Sequence, residues 1–233
     1  MKKPIKYIRT IALVIILFTN HGVLSQHDLG VKLGLGFSKT DPHFVDTEYA
    51  RFKVNYKPSG LFGVFYNYQL NDRFYLGADM VFSQIEGRID AQYFGFVSID
   101  GEINTINSAN SSTAYHLSYL TLPVYVGVKV KGVNVALGWQ TGLMLRGTYR
   151  NKSNHLIDDE WAEMTTFSND IGFDQFDFGS TLEVGYNLTE KWNVHFNYYQ
   201  GLNDLLPSGL IVIDEIKPWR NSQFSLGCSY NFF

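Results

Sequence analysis

From Phe176 to Leu188 the residues alternate strictly in character. Phe176, Phe178, Leu182, Val184, Tyr186 and Leu188 are large and apolar, and Ser180 is the one even position that is not. Between them stand Asp177, Gly179, Thr181, Glu183, Gly185 and Asn187. A repeat of two over this length is a strand signal, not a helix signal. After Thr189–Glu190–Lys191 the alternation resumes with Trp192, Val194, Phe196 and Tyr198 on one face. That face is continuous and aromatic-rich, while the other carries Asp177, Glu183, Asn187 and His195. The arrangement suits an inverted protein, apolar outward against lipid and polar inward.

The same pattern recurs along the chain. It predicts strands over Leu29–Ser38, Gly60–Leu70, Phe74 to about Gln84, Tyr115–Val130, Val133 to about Thr148, the hairpin just described, and Ser222–Phe233. Asn71–Asp72–Arg73, Lys131–Gly132 and Thr189–Glu190–Lys191 read as short turns. Thr40–Ser59, Ile85–Ala114, Tyr149–Gly172 and Asn203–Asn221 read as long loops. The first part of the second loop is strand-like and extends the hairpin beyond the membrane. Trp161 and Trp219 are expected as exposed loop aromatics, and Pro123, which cannot donate to a ladder, is expected at a bulge.

Eight strands with alternating long and short connections form the pattern of an outer-membrane barrel, with long extracellular loops and short periplasmic turns. The fold class is therefore all-β, an eight-stranded antiparallel up-and-down transmembrane β-barrel. Strands of about ten residues at a tilt match the hydrocarbon thickness. An even strand count puts both termini on the periplasmic side. Tyr68, Phe74, Tyr186, Trp192, Tyr230 and Phe232 crowd that side as an interfacial girdle.

The first 25 residues read differently. Lys2, Lys3, Lys6 and Arg9 precede the apolar run Ile11–Phe18, and Val23 and Ser25 sit at −3 and −1 of a cleavage site. This is the form of a secretory signal peptide, too short for a spanning helix. Residues 1–25 are assigned to the leader and 26–233 to one barrel domain. The net charge of −3 becomes more negative once the basic leader is removed, so the chain has no electrostatic footprint for nucleic acid. Cys228 is the only cysteine, which excludes an internal disulfide.

Lys32, Asp79, Lys129, Glu183 and His195 share inward parity in the lower half of the barrel. Eight strands leave an interior just wide enough for side chains, so these residues are expected to form a structural polar network that plugs the lumen. A proton or ion path is the functional alternative. Across a three-residue turn Glu183 faces Asn197, with His195 as its diagonal neighbour. His116 and Ser118 form an outward His-x-Ser pair at the extracellular end of the fourth strand, similar to the site of outer-membrane lipid A deacylases. Such a site needs an acid to orient the His, and the fifth strand offers none there. Asp158–Asp159–Glu160 matches no defined Ca²⁺ spacing. His27, His43 and His155 are scattered, and no cofactor or metal site is expected.

Tyr119–Leu120–Thr121–Leu122–Pro123–Val124–Tyr125–Val126–Gly127–Val128–Lys129 resembles the Tyr-Leu-x-Ile-Pro-Leu-x-x-x-x-Lys stretch of PorT-family outer-membrane proteins of Bacteroidetes-type bacteria. Leu29–Gly34, Asp177–Phe178–Gly179, Tyr198–Leu202 and Gly227–Phe232 resemble the same family in consistent order. The resemblance implies a single eight-stranded barrel in the outer membrane. The expected role is structural or interactive and non-enzymatic. Its partners would be outer-membrane lipid and, through the long loops, another envelope or extracellular protein. A deacylase-like lipid enzyme and a narrow porin-like channel are the alternatives.

Overall fold

The computed structural model describes residues 27–41, 50–93, 95–99, 102–106, 110–157, 160–168, 174–205 and 218–232. The proposed leader lies outside them. The strands are β1 (His27–Asp41), β2 (Ala50–Gln69), β3 (Phe74–Tyr93), β4 (Gly95–Ile99), β5 (Glu102–Ile106), β6 (Asn110–Val130), β7 (Val133–Ile157), β8 (Glu160–Ser168), β9 (Phe176–Asn187), β10 (Trp192–Gly201) and β11 (Arg220–Asn231). All pairings are antiparallel. They run β1–β2–β3–β6–β7–β9–β10–β11, and β11 returns to β1 through Gly30↔Asn231 to Asp41↔Arg220. Each of these eight strands thus has two partners, and the ring has no open edge. β8 extends the sheet beside the upper part of β7, and β4–β5 is a separate hairpin.

The faces are inverted as the alternation requires. Leu35 is 72% exposed and Leu226 70%, whereas Lys32 is 7% exposed and Tyr119 fully buried. On β3 the outward apolar set runs from Phe74 to Phe82, close to the roughly 9–11 residues of a tilted membrane strand. The rings of Trp192, Tyr230 and Phe232 meet at one end, where centroids lie 5.0 Å and 6.0 Å apart.

The three short turns are built by their own residues. Lys131 and Gly132 both have positive φ (50° and 84°), the requirement of a tight two-residue hairpin of the primed type. Asn71 Oδ1 accepts from the backbone N–H of Arg73 and Phe74, each at 2.9 Å. Thr189 Oγ1 does the same for Lys191 (3.2 Å) and Trp192 (3.0 Å). In both, a short side chain replaces a backbone acceptor. Leu70 therefore faces Phe74, and Leu188 faces Trp192, across three residues.

Four readings of the sequence need correction. Residues 50–59 are strand, not loop, and Pro58 pairs with Phe37 at the β1–β2 seam. The stretch after Tyr149 continues β7 to Ile157 and returns as β8. Pro123 sits at no bulge: register is unbroken across it, and it pairs with Gln140 on β7, while β3 offers it no ladder partner. The irregularity in β6–β7 lies at Ser118/Tyr119, where β7 carries one extra residue. Finally, Trp219 is buried against Tyr115, with ring centroids 5.6 Å apart. The Trp161 side chain lies outside the described part.

Candidate functional site

Interior glycines create the space for the polar interior. Gly77 pairs directly with Tyr125, and Gly127 with Tyr75, across β3–β6. A Cβ on Gly77 would fall 1.9 Å from the Tyr125 ring, and one on Gly127 2.1 Å from Tyr75. Each ring lies over the neighbouring glycine, and the two tyrosines meet edge to face at 6.2 Å.

At mid-height Lys32 Nζ donates to Asp79 Oδ2 at 2.6 Å and to Glu183 Oε2 at 2.7 Å. Tyr125 donates its hydroxyl to Asp79 Oδ1 at 2.7 Å. One ammonium from β1 therefore ties β3 to β9 across the lumen. A buried ion pair persists only when geometry and further hydrogen bonds repay desolvation, and here the cation has two carboxylates. The Glu183↔Asn197 and Gly185↔His195 pairs place His195 diagonally from Glu183. His195 is 2% exposed, packed over Gly227, and its Nε2 has no hydrogen-bond partner among the described residues.

Lys129 stands apart from that cluster. Its Nζ is 3.0 Å from Asp28 Oδ2, at the short-turn end. Gln69 and Asn231 also donate to Asp28, at 2.7 Å and 3.2 Å. A cavity of about 130 Å³ lies here between the two lysine clusters, lined by Asn67, Asn134, Asn187 and Asn193 among others. Above Lys32 the free space shrinks to about 30 Å³, roughly one water.

Toward the long-loop end sequence reasoning missed a second polar layer. Asn221 donates to Asp177 Oδ2 at 2.8 Å and to the Tyr119 hydroxyl at 3.2 Å, while Thr40 donates to Asn221 Oδ1 at 2.8 Å. The odd parity that Asp177 shares with Glu183 was its signal. Thr40 and Asn221 were hidden in stretches read as loop. Apolar layers close the interior above this. Ile85, Leu117 and Tyr119 pack together, then Ile89, Leu205 and Trp219. Asp204 Oδ1 accepts from Trp219 N at 2.9 Å and Leu205 N donates to Trp219 O at 3.0 Å, which holds this cap across the opening.

The outer wall holds the other candidate pair. His116 faces Glu86 of β3 in register, and its Nδ1 is 3.0 Å from the Glu86 carboxylate. The acid absent from β7 is supplied by the strand on the other side: parity on β3 puts Glu86 outward, and the β3–β6 register sets it opposite His116. Ser118 lies two residues along on the same face, paired with Gln84 and Arg146. Among the described residues no group of His, Cys, Asp and Glu is placed to hold a metal. His27 instead sets its Nδ1 2.6 Å from the Tyr66 hydroxyl. His43, Asp158 and Asp159 lie outside the described residues.

A closed ring with a lipid-type outer face and a packed interior agrees with the family comparison. Residues 24–206 match the family model described as an outer membrane protein beta-barrel domain. The chain belongs to that family. No curated protein matches it in sequence. Solved structures similar to it include the attachment invasion locus protein Ail of Yersinia pestis, in complex with the heparin analogue sucrose octasulfate, at 12% identity, with 89% of this chain and 99% of that one covered and a TM-score of 0.38. Neisserial surface protein A is similar at 11% identity, covering 88% and 97%, with a TM-score of 0.39. The outer membrane protease OmpT of Escherichia coli is similar at 10% identity, covering 90% and 98%, with a TM-score of 0.35. This outer-membrane barrel thus carries its charged residues in three places: the lumen, the short-turn mouth and the outer wall above the lipid band.

Proposed function

We propose that this outer-membrane barrel is a non-enzymatic interaction protein of the PorT type. It is exported by a signal peptide over residues 1–25, and both termini are periplasmic. The observation that carries this reading is the contrast between interior and rim. The interior is filled by the Lys32 network and the Ile89–Leu205–Trp219 cap. The rim is built up well past the apolar band, by the upper halves of β2, β3, β6 and β7 with β8. Paired strands outside the membrane contribute nothing to spanning it. They are a rigid platform for an envelope or extracellular protein.

The test is cross-linking in intact cells from residues of the β7–β8 hairpin, followed by identification of what is captured, with an epitope at Gly101 to report sidedness. A discrete partner captured from the hairpin, with surface-exposed epitope, supports the role. Steady conductance in a planar bilayer would replace it with the channel reading.

A second reading rests on the 3.0 Å Glu86–His116 pair beside Ser118. An acid paired with a His is two parts of the arrangement of a nucleophilic hydrolase, and Ser118, one outward row away on the same strand, would have to supply the hydroxyl. Loss of ester lipid that depends on both His116 and Ser118 would establish it.

A further inference from the structure

On the long-loop side the apolar band ends within one cross-strand row. Phe82, Leu120 and Leu143 face outward in register, and the next outward row is Gln84, Ser118 and Arg146. Two rows further out Arg88, Ala114 and Arg150 align across β3, β6 and β7. The row beyond is Lys53, Asp90, Ser112 and Lys152. These side chains point away from the lumen, because Ile85, Ile89 and Leu117 between them are the buried ones. A groove of about 580 Å³ lies at the upper edge of this wall, lined by Lys53, Arg88 and Lys152 with Asp90 and Glu163 and reaching in to the buried Ala91, while Arg146 and Arg150 stand outside it.

The charge here runs against that of the chain, which is net −3. The acids on this wall are already engaged. Glu86 pairs with His116 at 3.0 Å, Asp90 with Arg88 at 2.7 Å and Glu163 with Lys152 at 3.1 Å. Among the described residues no carboxylate pairs with Lys53, Arg146 or Arg150. Arg88 and Arg150 are two strands apart, about 10 Å at the backbone. Ala114 between them leaves a gap floored by a methyl group. Arg88 is held by Asp90, so the Arg150 guanidinium is the one open to a phosphate at this gap, which arginine binds through two parallel N–H donors.

We propose that this wall binds the phosphate groups of an anionic glycolipid in the leaflet at the long-loop side, with Arg146, Arg150 and Lys53 as its principal cations. The site rests on the outer-membrane orientation proposed above. What selects a lipid over a soluble anion is the adjacency of the two surfaces. One amphipathic molecule can lay its acyl chains on Phe82, Leu120 and Leu143 while its headgroup meets Arg146 about 7 Å further along the strand. A soluble anion gains nothing from the apolar row.

The experiment is native mass spectrometry of the full chain in neutral detergent, titrated with diphosphorylated lipid A and with its dephosphorylated form. The phosphorylated lipid should be retained and the dephosphorylated one lost. Arg146→Gln/Arg150→Gln should weaken retention on the order of ten-fold or more, since each basic residue near an anionic surface contributes separately. Lys53→Gln should weaken it less, and Arg73→Gln, in a short turn at the opposite end, not at all. Heat-modifiable migration of every variant shows that the barrel is intact; a wild-type chain without it would overturn the barrel reading instead. Equal retention of the two lipid forms, or an equal loss in Arg73→Gln, overturns the lipid site. So does displacement by millimolar inorganic phosphate, which would make this a soluble-anion site.

Discussion

Lys32 on β1 holds its ammonium 2.6 Å from the Asp79 carboxylate on β3, two strands away around the ring. Its second contact, Glu183 at 2.7 Å, lies on β9, three strands away in the other direction. A single side chain therefore braces three sides of the barrel. Its removal leaves two carboxylates facing each other away from bulk water.

Lys32→Met should lower stability by about 3–5 kcal/mol, the usual cost of stripping a buried charge of its partner. Unfolding in urea from lipid vesicles, followed by gel migration, measures it. Lys32→Met/Asp79→Asn/Glu183→Gln should recover most of the loss, because no uncompensated charge remains. A triple variant no more stable than the single one would mean that the ion pairs themselves, not charge balance, hold the interior.

Gly127→Ala should cost about 1–3 kcal/mol, the range for overpacking a filled interior. The new Cβ would lie 2.1 Å from the buried Tyr75 ring, which must give way toward the cavity it lines and lose its edge-to-face contact with Tyr125. Tyr75→Leu in the same chain should make the added methyl nearly neutral, a coupling that a double-mutant cycle reads directly.

A charge in the lipid band gives a depth-dependent penalty. Leu137→Arg, 66% exposed near the middle of the lipid band on β7, should cost about 2–4 kcal/mol. Gln84→Arg, one row above the band, should cost close to nothing. Equal costs at both positions would contradict the boundary drawn between Phe82 and Gln84.

Trp219→Ala should destabilise the long-loop end by about 3–5 kcal/mol, since it empties the layer shared with Ile89 and Leu205. Hydrogen exchange should rise at Leu205, whose N–H reaches the Trp219 carbonyl, and stay unchanged at the Lys131–Gly132 turn.

Legibility in the sequence followed the solvent. Where the outer face meets lipid, outward residues are apolar with few exceptions such as Ser180 and Thr141, so the alternation on β1, β9 and β11 was readable and parity alone assembled Lys32, Asp79 and Glu183. Above the band both faces tolerate polar residues and the contrast disappears. Arg51, Lys53 and Asn55 then read as loop although they continue β2. The register shift between Tyr56 and Leu61 also flips the parity there, so no single phase describes the whole strand. Trp219 was placed on the surface for the same reason: its neighbours carry no period, and only the fold shows that it turns inward over Tyr115. Glu86 was half within reach of the sequence: β3 parity puts it outward, but only the β3–β6 register brings it to His116.

The inside-out assignment is tested most directly by spin labels in bilayers, in a Cys228→Ser background. One label replaces Leu137 on the outer wall and another replaces Thr121, which is 3% exposed and faces the lumen. A label at Leu137 should collide freely with dissolved oxygen and hardly at all with a water-soluble nickel chelate. The label at Thr121 should be shielded from both. Strong chelate collision at Leu137, with oxygen collision at Thr121, would contradict it.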